Sequence, residues 1–259
     1  MAPVLLLLFV LGCGAPTDAT QAQPSGASEA DTAYFYRSPS RDGIGKVYMG
    51  REISRGMGHR GAAWLERPDR ERTERPDLVI EGLALLSNYT VADVGAGTGY
   101  FTFRIAEAVP QGRVFAVDIQ PELLAIIEQR QEDLGVDNIT RVLGTESSPE
   151  LPADTLDATL LVDSYHEFAY PMEMLAAIFA ATKPGGKLVL IEYRGEDPSV
   201  PIKPLHKMTE AQVRLEVEAA GFQFVANRDF LPQQHFLVFE KPGCARRTVW
   251  VYGGVGANP

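Results

Sequence analysis

The sequence has little cysteine, no surplus of basic charge and no apolar run long enough to cross a membrane. Its two cysteines, Cys13 and Cys244, form no CxxC pair, which excludes a disulfide framework and a cysteine-ligated zinc cluster. With 24 Lys and Arg against 34 Asp and Glu, the formal net charge of -10 excludes a basic surface for nucleic acid. The 259 residues, 45% of them hydrophobic, suffice for one α/β domain with additional segments at its ends.

The first residues predict export. An apolar run from Val4 to Leu11 has the length of a signal-peptide core and is too short to span a bilayer. The run ends in the letters VLGC, which resemble a bacterial lipobox, although the preceding MAP supplies no Lys or Arg. The resemblance implies a signal peptide over residues 1–13 and a membrane-anchored lipoprotein on the periplasmic side, lipidated at Cys13. The alternative is a cytoplasmic chain.

The rest of the chain divides into four segments by composition. Residues 14–40 are predicted to be a flexible tether, because most of them are small or polar and show no apolar periodicity. Residues 41–75 are polar and Arg-rich and predict a helical cap, with a helix near residues 61–66. Residues 76–242 form the predicted main domain, and residues 243–259 a C-terminal tail.

Strand and helix patterns alternate through the main domain. The strands TVADVGA, GRVFAVDI, LDATLLVDS and GKLVLIEY are rich in Val, Ile and Leu, as expected for strands buried on both faces. Their alternation with helices predicts a doubly wound, mostly parallel sheet. The last two strands, FQFVANRDFL and HFLVFEK, are joined only by PQQ, which is too short for a crossover. They therefore predict an antiparallel hairpin at the edge of the sheet.

A glycine-rich loop follows the first strand of the main domain, in the stretch VADVGAGTGYF. Doubly wound folds bind ligands at the carboxyl ends of such strands. The dinucleotide fingerprint G-x-G-x-x-G fails here because Tyr100 stands where its third glycine is required. Asp93, two residues before the loop, would also repel a pyrophosphate and attract a cation. S-adenosylmethionine has no phosphate and carries an ammonium and a sulfonium group, so it fits this loop better.

The same stretch resembles motif I of class I S-adenosylmethionine-dependent methyltransferases, D/E-x-G-x-G-x-G. The resemblance covers about residues 76–242 and implies a Rossmann-like, seven-stranded, mostly parallel sheet with an antiparallel C-terminal hairpin. It implies that Asp93 and the loop hold the methionine end of the cofactor, Asp118 the ribose hydroxyls, and the next residues the adenine. The family's usual Asp after the third strand is replaced here by Glu146 or shifted. The implied cofactor-binding residues are Asp93, Gly95, Ala96, Gly97, Thr98, Gly99, Asp118, Ile119, Gln120, Thr145 and Glu146.

The stretch DSYHEF after the fourth strand matches the family's motif IV position, which faces the methyl group. Asp163, His166 and Glu167 are therefore the candidate catalytic residues, and Tyr165 is predicted to form an aromatic wall. His166 is the candidate base for an acceptor that must lose a proton, because an imidazole has a pKa near neutrality. The alternative is a loop histidine bonded to backbone.

Two further segments are candidates to cover the pocket. Residues 193–208 form a charged connection stiffened by prolines, and the N-terminal cap carries His59, Trp64, Arg67 and Arg70. An ordinary surface crossover and a solvated charged face are the respective alternatives. The four histidines lie in or near segments that could converge, but no H-x-x-x-H spacing occurs, so no metal is predicted. They are His59, His166, His206 and His235.

These features predict an S-adenosylmethionine-dependent methyltransferase that acts on a small molecule. The D/N-P-P-Y/F motif, which resembles the signature of enzymes that methylate planar amino groups, is absent. Two alternatives remain open: a non-catalytic lipoprotein that binds S-adenosylmethionine or a nucleoside, and an aminopropyl-type transferase on the same fold. The predicted partners are a small-molecule acceptor, no nucleic acid, and a membrane only through the lipid on Cys13. The acceptor and the oligomeric state are left open.

Overall fold

The computed structural model describes residues 33–243, which contain two β-sheets. The predicted signal peptide, the Cys13 lipidation site, most of the tether and all but the first residue of the C-terminal tail lie outside the described residues. Within residues 33–243, no helix combines the length and the apolar character that crossing a bilayer requires.

The described chain begins with a small antiparallel sheet of three strands in the order β1-β2-β3. The strands are β1 (Tyr34–Tyr36), β2 (Gly43–Tyr48) and β3 (Arg51–Ser54). Met49 and Gly50 join β2 to β3 with positive φ values of 44° and 96°, as a tight two-residue hairpin turn requires. The prediction of a helical cap over residues 41–75 is therefore wrong for its first part. The missed signal is the pair Met-Gly between two short β-prone runs.

Strand β1 also corrects the predicted end of the tether at residue 40. Tyr34 is buried, and its ring lies 5.3 Å from that of Tyr48 and 6.2 Å from that of Tyr170. Its hydroxyl donates a hydrogen bond to Glu173, so the strand is tied to the main domain. Aromatic burial of this kind orders the chain from residue 34 onward, although its flanking sequence is polar.

Short helices follow the small sheet. They are α1 (Ala62–Leu65), α2 (Arg70–Thr73) and α3 (Pro76–Leu83). Helix α1 confirms the helix predicted near residues 61–66. Pro76 occupies the first turn of α3, where its missing N–H costs no hydrogen bond.

The main sheet has seven strands in the order β6-β5-β4-β7-β8-β10-β9. Neighbouring strands from β6 to β8 run parallel, whereas β10 is antiparallel to both β8 and β9. This arrangement confirms the predicted doubly wound sheet with an antiparallel C-terminal hairpin. The strands are β4 (Thr90–Val94), β5 (Arg113–Asp118), β6 (Ile139–Leu143), β7 (Leu156–Val162), β8 (Thr182–Tyr193), β9 (Gln223–Asn227) and β10 (Gln234–Glu240).

Two layers of helices cover the sheet, and each buries its own apolar cluster. Ile105 and Ile127 belong to the cluster on one face, and Leu175 and Val213 to the cluster on the other. Such double coverage explains why the central strands carry apolar side chains at consecutive positions. The helices, after α3, are α4 (Tyr100–Ala108), α5 (Pro121–Leu134), α6 (Pro171–Ala181) and α7 (Glu210–Ala219).

Helix α6 ends earlier than the pattern PMEMLAAIFAATKPGG predicts. The Thr182 hydroxyl donates to the carbonyl of Ile178 at 2.7 Å, and Thr182 already begins β8. Pro184 biases the residue before it toward extended backbone, so Lys183 joins the strand rather than the helix.

The strand order determines where a ligand can bind. From β4 the chain crosses to β5, which lies on one side of β4 in the sheet. After β6 it returns to β7, which lies on the other side of β4. The carboxyl ends of β4 and β7 therefore flank a crevice at the point where the strand order reverses. In open α/β sheets this crevice is where ligands bind.

Candidate active site

The glycine loop turns the chain from β4 into α4 through three left-handed residues. Gly95, Gly97 and Gly99 have φ values of 82°, 57° and 81°. At Gly97 a Cβ atom would also lie 2.6 Å from Cδ1 of Leu65. The left-handed backbone conformation therefore favours glycine at this position, and a side chain here would also displace Leu65 of α1.

The N–H groups of this loop are largely used within the protein. Gly95 and Ala96 both donate to the Val117 carbonyl at 2.9 Å, and Gly99 donates to Ala96 at 2.9 Å. Gly97 donates to Oδ2 of Asp118 at 2.9 Å. A phosphate-binding loop instead directs such N–H groups at its ligand. These four amides are therefore not oriented to hold a pyrophosphate.

Asp118 ends β5 beside the middle of the glycine loop. Its carboxylate accepts the Gly97 N–H through Oδ2 and the Gln120 N–H through Oδ1, each at 2.9 Å. Burial raises the pKa of Asp118, while these backbone hydrogen bonds act in the opposite direction. Each oxygen keeps a second lone pair, so the carboxylate can accept two further hydrogen bonds from a ligand.

Asp93 lies at the other side of the same loop and is buried. Its Oδ2 accepts a hydrogen bond from the Thr102 hydroxyl at 2.6 Å. Burial raises the pKa of Asp93 to about 6, and the charge of Asp118 adds to this rise, whereas the Thr102 bond and Arg70 oppose it. The motif spacing predicted a functional acid at this position, but no pattern in the letters indicated that Thr102 orients it.

The residues predicted to contact adenine differ in their surroundings. Ile119 is 51% exposed and offers an apolar surface beside Asp118. The amide of Gln120 is already bonded to backbone, donating to Met57 at 3.0 Å and accepting from His59 at 2.6 Å. Thr145 and Glu146 are exposed in the turn after β6. Their contact with adenine stays a prediction.

Residues 57–66, here called the covering segment, lie over this part of the sheet edge. Beyond the two bonds to Gln120, the Met57 N–H donates to Oε2 of Glu167 at 3.0 Å. At the other end of the segment, Glu66 accepts the Thr98 hydroxyl at 2.6 Å. The covering segment thus connects the glycine loop with the DSYHEF stretch. That it closes over a bound cofactor stays a prediction.

The cationic side chains of the predicted cap do not form a solvated face as a group. Arg70 is buried and donates to Glu74, itself buried, at 2.7 Å. Arg67 donates to the Tyr193 hydroxyl at 3.1 Å. Trp64, in contrast, is 52% exposed. Arg67 therefore connects this segment to the end of β8, and Arg70 connects α2 to the Leu65 carbonyl at the end of α1.

Asp163 follows β7 in a left-handed conformation with φ of 46°, which a non-glycine residue adopts only under strain. Its Oδ2 accepts from Nε2 of Gln234 at 2.7 Å, and its Oδ1 is buried without a partner among the described residues. Burial raises the pKa of Asp163 well above its usual value, and the charges of Glu74 and Glu192 add to the rise.

The prediction that Tyr165 walls the pocket is wrong. Its side chain is fully buried and its hydroxyl donates to Glu216 of α7 at 2.6 Å. The turn formed by Tyr165–Glu167 directs the tyrosine into the core and the next two side chains toward the sheet edge. The letters DSYHEF do not indicate that Tyr165 points into the core, because its burial depends on the position of α7.

His166 and Glu167 form a cluster with two residues from elsewhere in the chain. Nδ1 of His166 lies 2.7 Å from Oε2 of the buried Glu192. Nε2 of His166 lies 3.2 Å from Nδ1 of His206. Oε1 of Glu167 lies 3.8 Å from Nε2 of His166 and 3.7 Å from Nδ1 of His206. We call His166, Glu167 and His206 the histidine cluster.

Burial and charge act differently on each member of the cluster. Burial opposes the charged form of His166, but Glu192, Glu167 and Asp163 together outweigh burial and raise the pKa of this imidazole. Burial and the charge of His166 lower the pKa of His206. Burial raises the pKa of Glu167, and the charge of Asp118 adds to the rise. Met57 connects the cluster to the predicted ribose site, because its N–H donates to Glu167 and its carbonyl accepts from Gln120, whose own N–H donates to Asp118.

Sequence reasoning missed Glu192 and did not assign His206 a partner. Glu192 is an acidic residue at the end of the otherwise apolar run KLVLIEY, which is the signal that could have identified it. The other two histidines do not join the cluster. His235 bonds to Glu196 at 2.9 Å, and His59 lies 3.9 Å from Glu122.

Comparison with known proteins supports the fold. Residues 91–186 match a family described as a methyltransferase domain. A solved structure from Aquifex aeolicus, described as a SAM-dependent methyltransferase, superposes with a TM-score of 0.68 at 24% identity, covering 72% of this chain and 100% of that one. The fold is the class I methyltransferase fold.

Curated relatives match a shorter part of the chain. A demethylmenaquinone methyltransferase from Anoxybacillus flavithermus is 32% identical over 101 residues, covering 39% of this chain and 43% of the relative. An uncharacterised methyltransferase-like protein from Schizosaccharomyces pombe is 30% identical over 146 residues, covering 56% and 53%. The chain thus spans about half the length of these relatives.

Proposed function

We propose that the protein binds S-adenosylmethionine and transfers its methyl group to a small organic acceptor. The observation that carries the proposal is the bond from the Gly97 N–H to Asp118 at 2.9 Å. It joins the acidic end of β5 to the centre of the glycine loop, leaving carboxylate lone pairs for the hydroxyls of a ribose.

The charge of the pocket supports a cationic rather than a phosphorylated cofactor. Asp93, Asp118 and Glu167 all lie in or beside it, and the charge of Asp118 affects the pKa of both other carboxyls. A pyrophosphate would be repelled by these groups, and the loop amides named above are already bonded. An ammonium and a sulfonium group would be attracted.

Methyl transfer requires little more from the protein than position and exclusion of water. The carbon is activated by sulfonium, so an acceptor aligned opposite the sulfur gains most of its rate from orientation. The covering segment and residues 193–208 are the parts proposed to enclose it. If the acceptor must lose a proton, Nε2 is the ring atom of His166 that can accept it, because Glu192 occupies Nδ1.

The acceptor is proposed to be a small molecule. Relatives named demethylmenaquinone methyltransferase act, by that name, on a quinone. The net charge of -10 disfavours nucleic acid. A quinol or phenol is therefore the first class to test.

Methyl-labelled S-adenosylmethionine, incubated with the full chain and a bacterial cell extract, tests transfer directly. Relative to extract incubated without the chain, we expect additional label in the organic-solvent extract, and little additional label in precipitated protein or nucleic acid. The Asp118→Ala variant, processed in parallel at a limiting cofactor concentration, should transfer much less label than the wild type. Label confined to protein or nucleic acid would contradict a small-molecule acceptor.

The same experiment separates an enzyme from a binding protein. Cofactor retained on the chain without label in any acceptor would contradict transfer and favour the binding lipoprotein. His166→Ala should lower turnover more than affinity for the cofactor, because His166 is proposed to act on the acceptor. If His166→Ala turns over as fast as the wild type, His166 has no role in the transfer step.

A further inference from the structure

The histidine cluster offers three electron-pair donor atoms that lie close together. Nε2 of His166, Nδ1 of His206 and Oε1 of Glu167 lie within 4.8 Å of one another, with separations of 3.2, 3.7 and 3.8 Å. Two ligands bound tetrahedrally to zinc at its usual bond lengths are about 3.4 Å apart. The observed triangle therefore needs shifts of only a few tenths of an ångström to hold such an ion.

A hydrogen bond between the two imidazoles does not explain the whole cluster. That bond would account for the 3.2 Å separation of the ring nitrogens. It leaves Oε1 of Glu167 beyond hydrogen-bond range of both nitrogens, and nearly equidistant from them. Charge attraction to an imidazolium, or a cation bound by all three atoms, would place a carboxylate oxygen here, and only the cation uses all three atoms together.

Neighbouring groups hold two of the three donors in the orientation that a metal requires. The Glu192 carboxylate accepts from Nδ1 of His166, so the lone pair of Nε2 faces the cluster. Glu192 is itself fixed by the Tyr165 N–H at 3.0 Å. The Met57 N–H holds the other oxygen of Glu167 at 3.0 Å. Metal-binding histidines usually have a carboxylate or carbonyl partner of this kind.

We propose that His166, Glu167 and His206 bind one divalent transition-metal ion of the zinc type. Two imidazole nitrogens and one carboxylate oxygen suit Zn²⁺, Co²⁺, Fe²⁺ or Mn²⁺, whereas Mg²⁺ and Ca²⁺ prefer oxygen ligands. Three protein ligands leave at least one position open, as in catalytic rather than structural sites. Glu167 and His206 are only partly buried, with side-chain exposures of 23% and 22%, so this position is accessible.

The role of the ion rests on the function proposed above. An acceptor hydroxyl bound at the open position would release its proton to solvent, because a divalent cation lowers the pKa of a bound oxygen acid. Its oxygen would then form the new C–O bond as the C–S bond breaks, and sulfur would keep the electron pair as S-adenosylhomocysteine. The ion is unchanged. With the ion bound, Nε2 of His166 is a ligand, and the ion rather than the imidazole activates the acceptor. Without the ion, Nε2 remains available as the base described above.

Metal binding can be measured without cofactor or acceptor. The full chain, prepared without an affinity tag and stripped by a chelator, is titrated with Zn²⁺ against a chromophoric competitor. A parallel titration with Co²⁺ reports the ligands by absorption, and one with Mg²⁺ tests selectivity. We expect one Zn²⁺ per chain, a cobalt spectrum of mixed nitrogen and oxygen ligation, and no comparable binding of Mg²⁺.

The variants identify the ligands. His206→Ala and Glu167→Gln should each weaken Zn²⁺ binding at least about 100-fold, since loss of an outer partner alone costs 10–100-fold. Glu192→Gln should weaken Zn²⁺ binding by about 10- to 100-fold, because Glu192 is such an outer partner. His59→Gln, at an exposed histidine outside the cluster, should bind as the wild type does. Circular dichroism and thermal unfolding without metal establish that each variant is folded.

Two results would overturn the site: no stoichiometric Zn²⁺ on the wild type, or unchanged affinity in folded His206→Ala and Glu167→Gln. Both are independent of whether the chain binds S-adenosylmethionine, which is measured separately. If the chain binds the cofactor and transfers methyl but takes up no Zn²⁺, only the metal site is rejected. If it takes up Zn²⁺ and does not bind the cofactor, only the proposed function is rejected.

Discussion

The carboxyl group of Asp93 is 3% exposed and has the Thr102 hydroxyl as its hydrogen-bond donor. Burial raises its pKa from 3.8 to about 6, with the Asp118 charge adding to this effect and Arg70 opposing it. The folded protein therefore binds a proton at Asp93 more tightly than the unfolded chain does. Ionisation of this group at neutral pH lowers the stability of the folded protein. The resulting negative charge would attract the cationic groups of the proposed cofactor.

The sign of the pH dependence follows. The stability from protonated Asp93 is fully present below about pH 4 and is lost as pH rises through about 6. Asp93→Asn keeps an acceptor for Thr102 and cannot ionise. Relative to wild type, the variant should gain on the order of 2–3 kcal/mol between about pH 4 and pH 7. Chemical denaturation at both pH values measures this difference, and calorimetry should show weaker binding of S-adenosylmethionine.

Asp133→Asn is the matched control, because Asp133 is exposed on α5. Its stability relative to wild type should be the same at both pH values. If the stability of Asp93→Asn relative to wild type is also the same at both pH values, ionisation of Asp93 does not lower the free energy of unfolding. That result would contradict the pH dependence predicted here.

At this scale, spacing along the chain predicted the acids but not their partners. Asp93 and Asp118 were identified because each stands at a fixed place relative to a strand end. The Thr102 bond, the Gly97 bond and the pairing of His166 with His206 depend on how separate elements pack. A residue pair 40 positions apart, such as His166 and His206, carries no local signal.

Among the elements, β3 is tied to the far side of the main domain by one buried ion pair. Arg51 donates to Glu216 of α7 through Nε at 2.6 Å and Nη2 at 2.9 Å. The two side chains are 13% and 0% exposed. Glu216 also accepts from Tyr165, so the pair connects the small sheet, α7 and the turn that carries His166.

Removal of Arg51 should therefore lower the free energy of unfolding substantially. Arg51→Met leaves the Glu216 carboxylate buried without its cation, which typically costs about 3–5 kcal/mol. Arg214→Ala, which breaks two exposed ion pairs on the same helix and a stacking contact with Phe224, should stay within about 1 kcal/mol of wild type. Urea denaturation measures both, and Arg51→Met together with Glu216→Gln should recover most of the loss. Equal stability of Arg51→Met and Arg214→Ala would contradict a structural role for the pair.

The main-sheet elements were more predictable than the N-terminal ones. Strands buried on both faces are continuous apolar runs, and the helices between them carry proline at the start, as α5 and α6 do. Strands β1 to β3 are short and polar on one side, and Tyr34 is buried only because Tyr48 and Tyr170 are present. Periodicity within a short window does not detect burial that distant residues supply.

For the whole molecule, export is the prediction that lies outside the described residues. If Cys13 carries a lipid, cells grown with labelled palmitate should incorporate label into the full chain, and Cys13→Ser should incorporate none. Cys244→Ser, which changes the other cysteine, should retain the label. Label that survives Cys13→Ser would contradict anchoring at this residue.

Binding of S-adenosylmethionine tests the whole account most directly, because the fold, the glycine loop and Asp118 are all required for it. In isothermal titration calorimetry, wild type and Asp133→Ala should bind the cofactor at one site with equal affinity. NAD⁺ should not bind. Asp118→Ala removes a charged acceptor for two hydroxyls and should weaken binding about 10- to 100-fold. Unchanged affinity in Asp118→Ala, or tighter binding of NAD⁺ than of S-adenosylmethionine, would contradict the account.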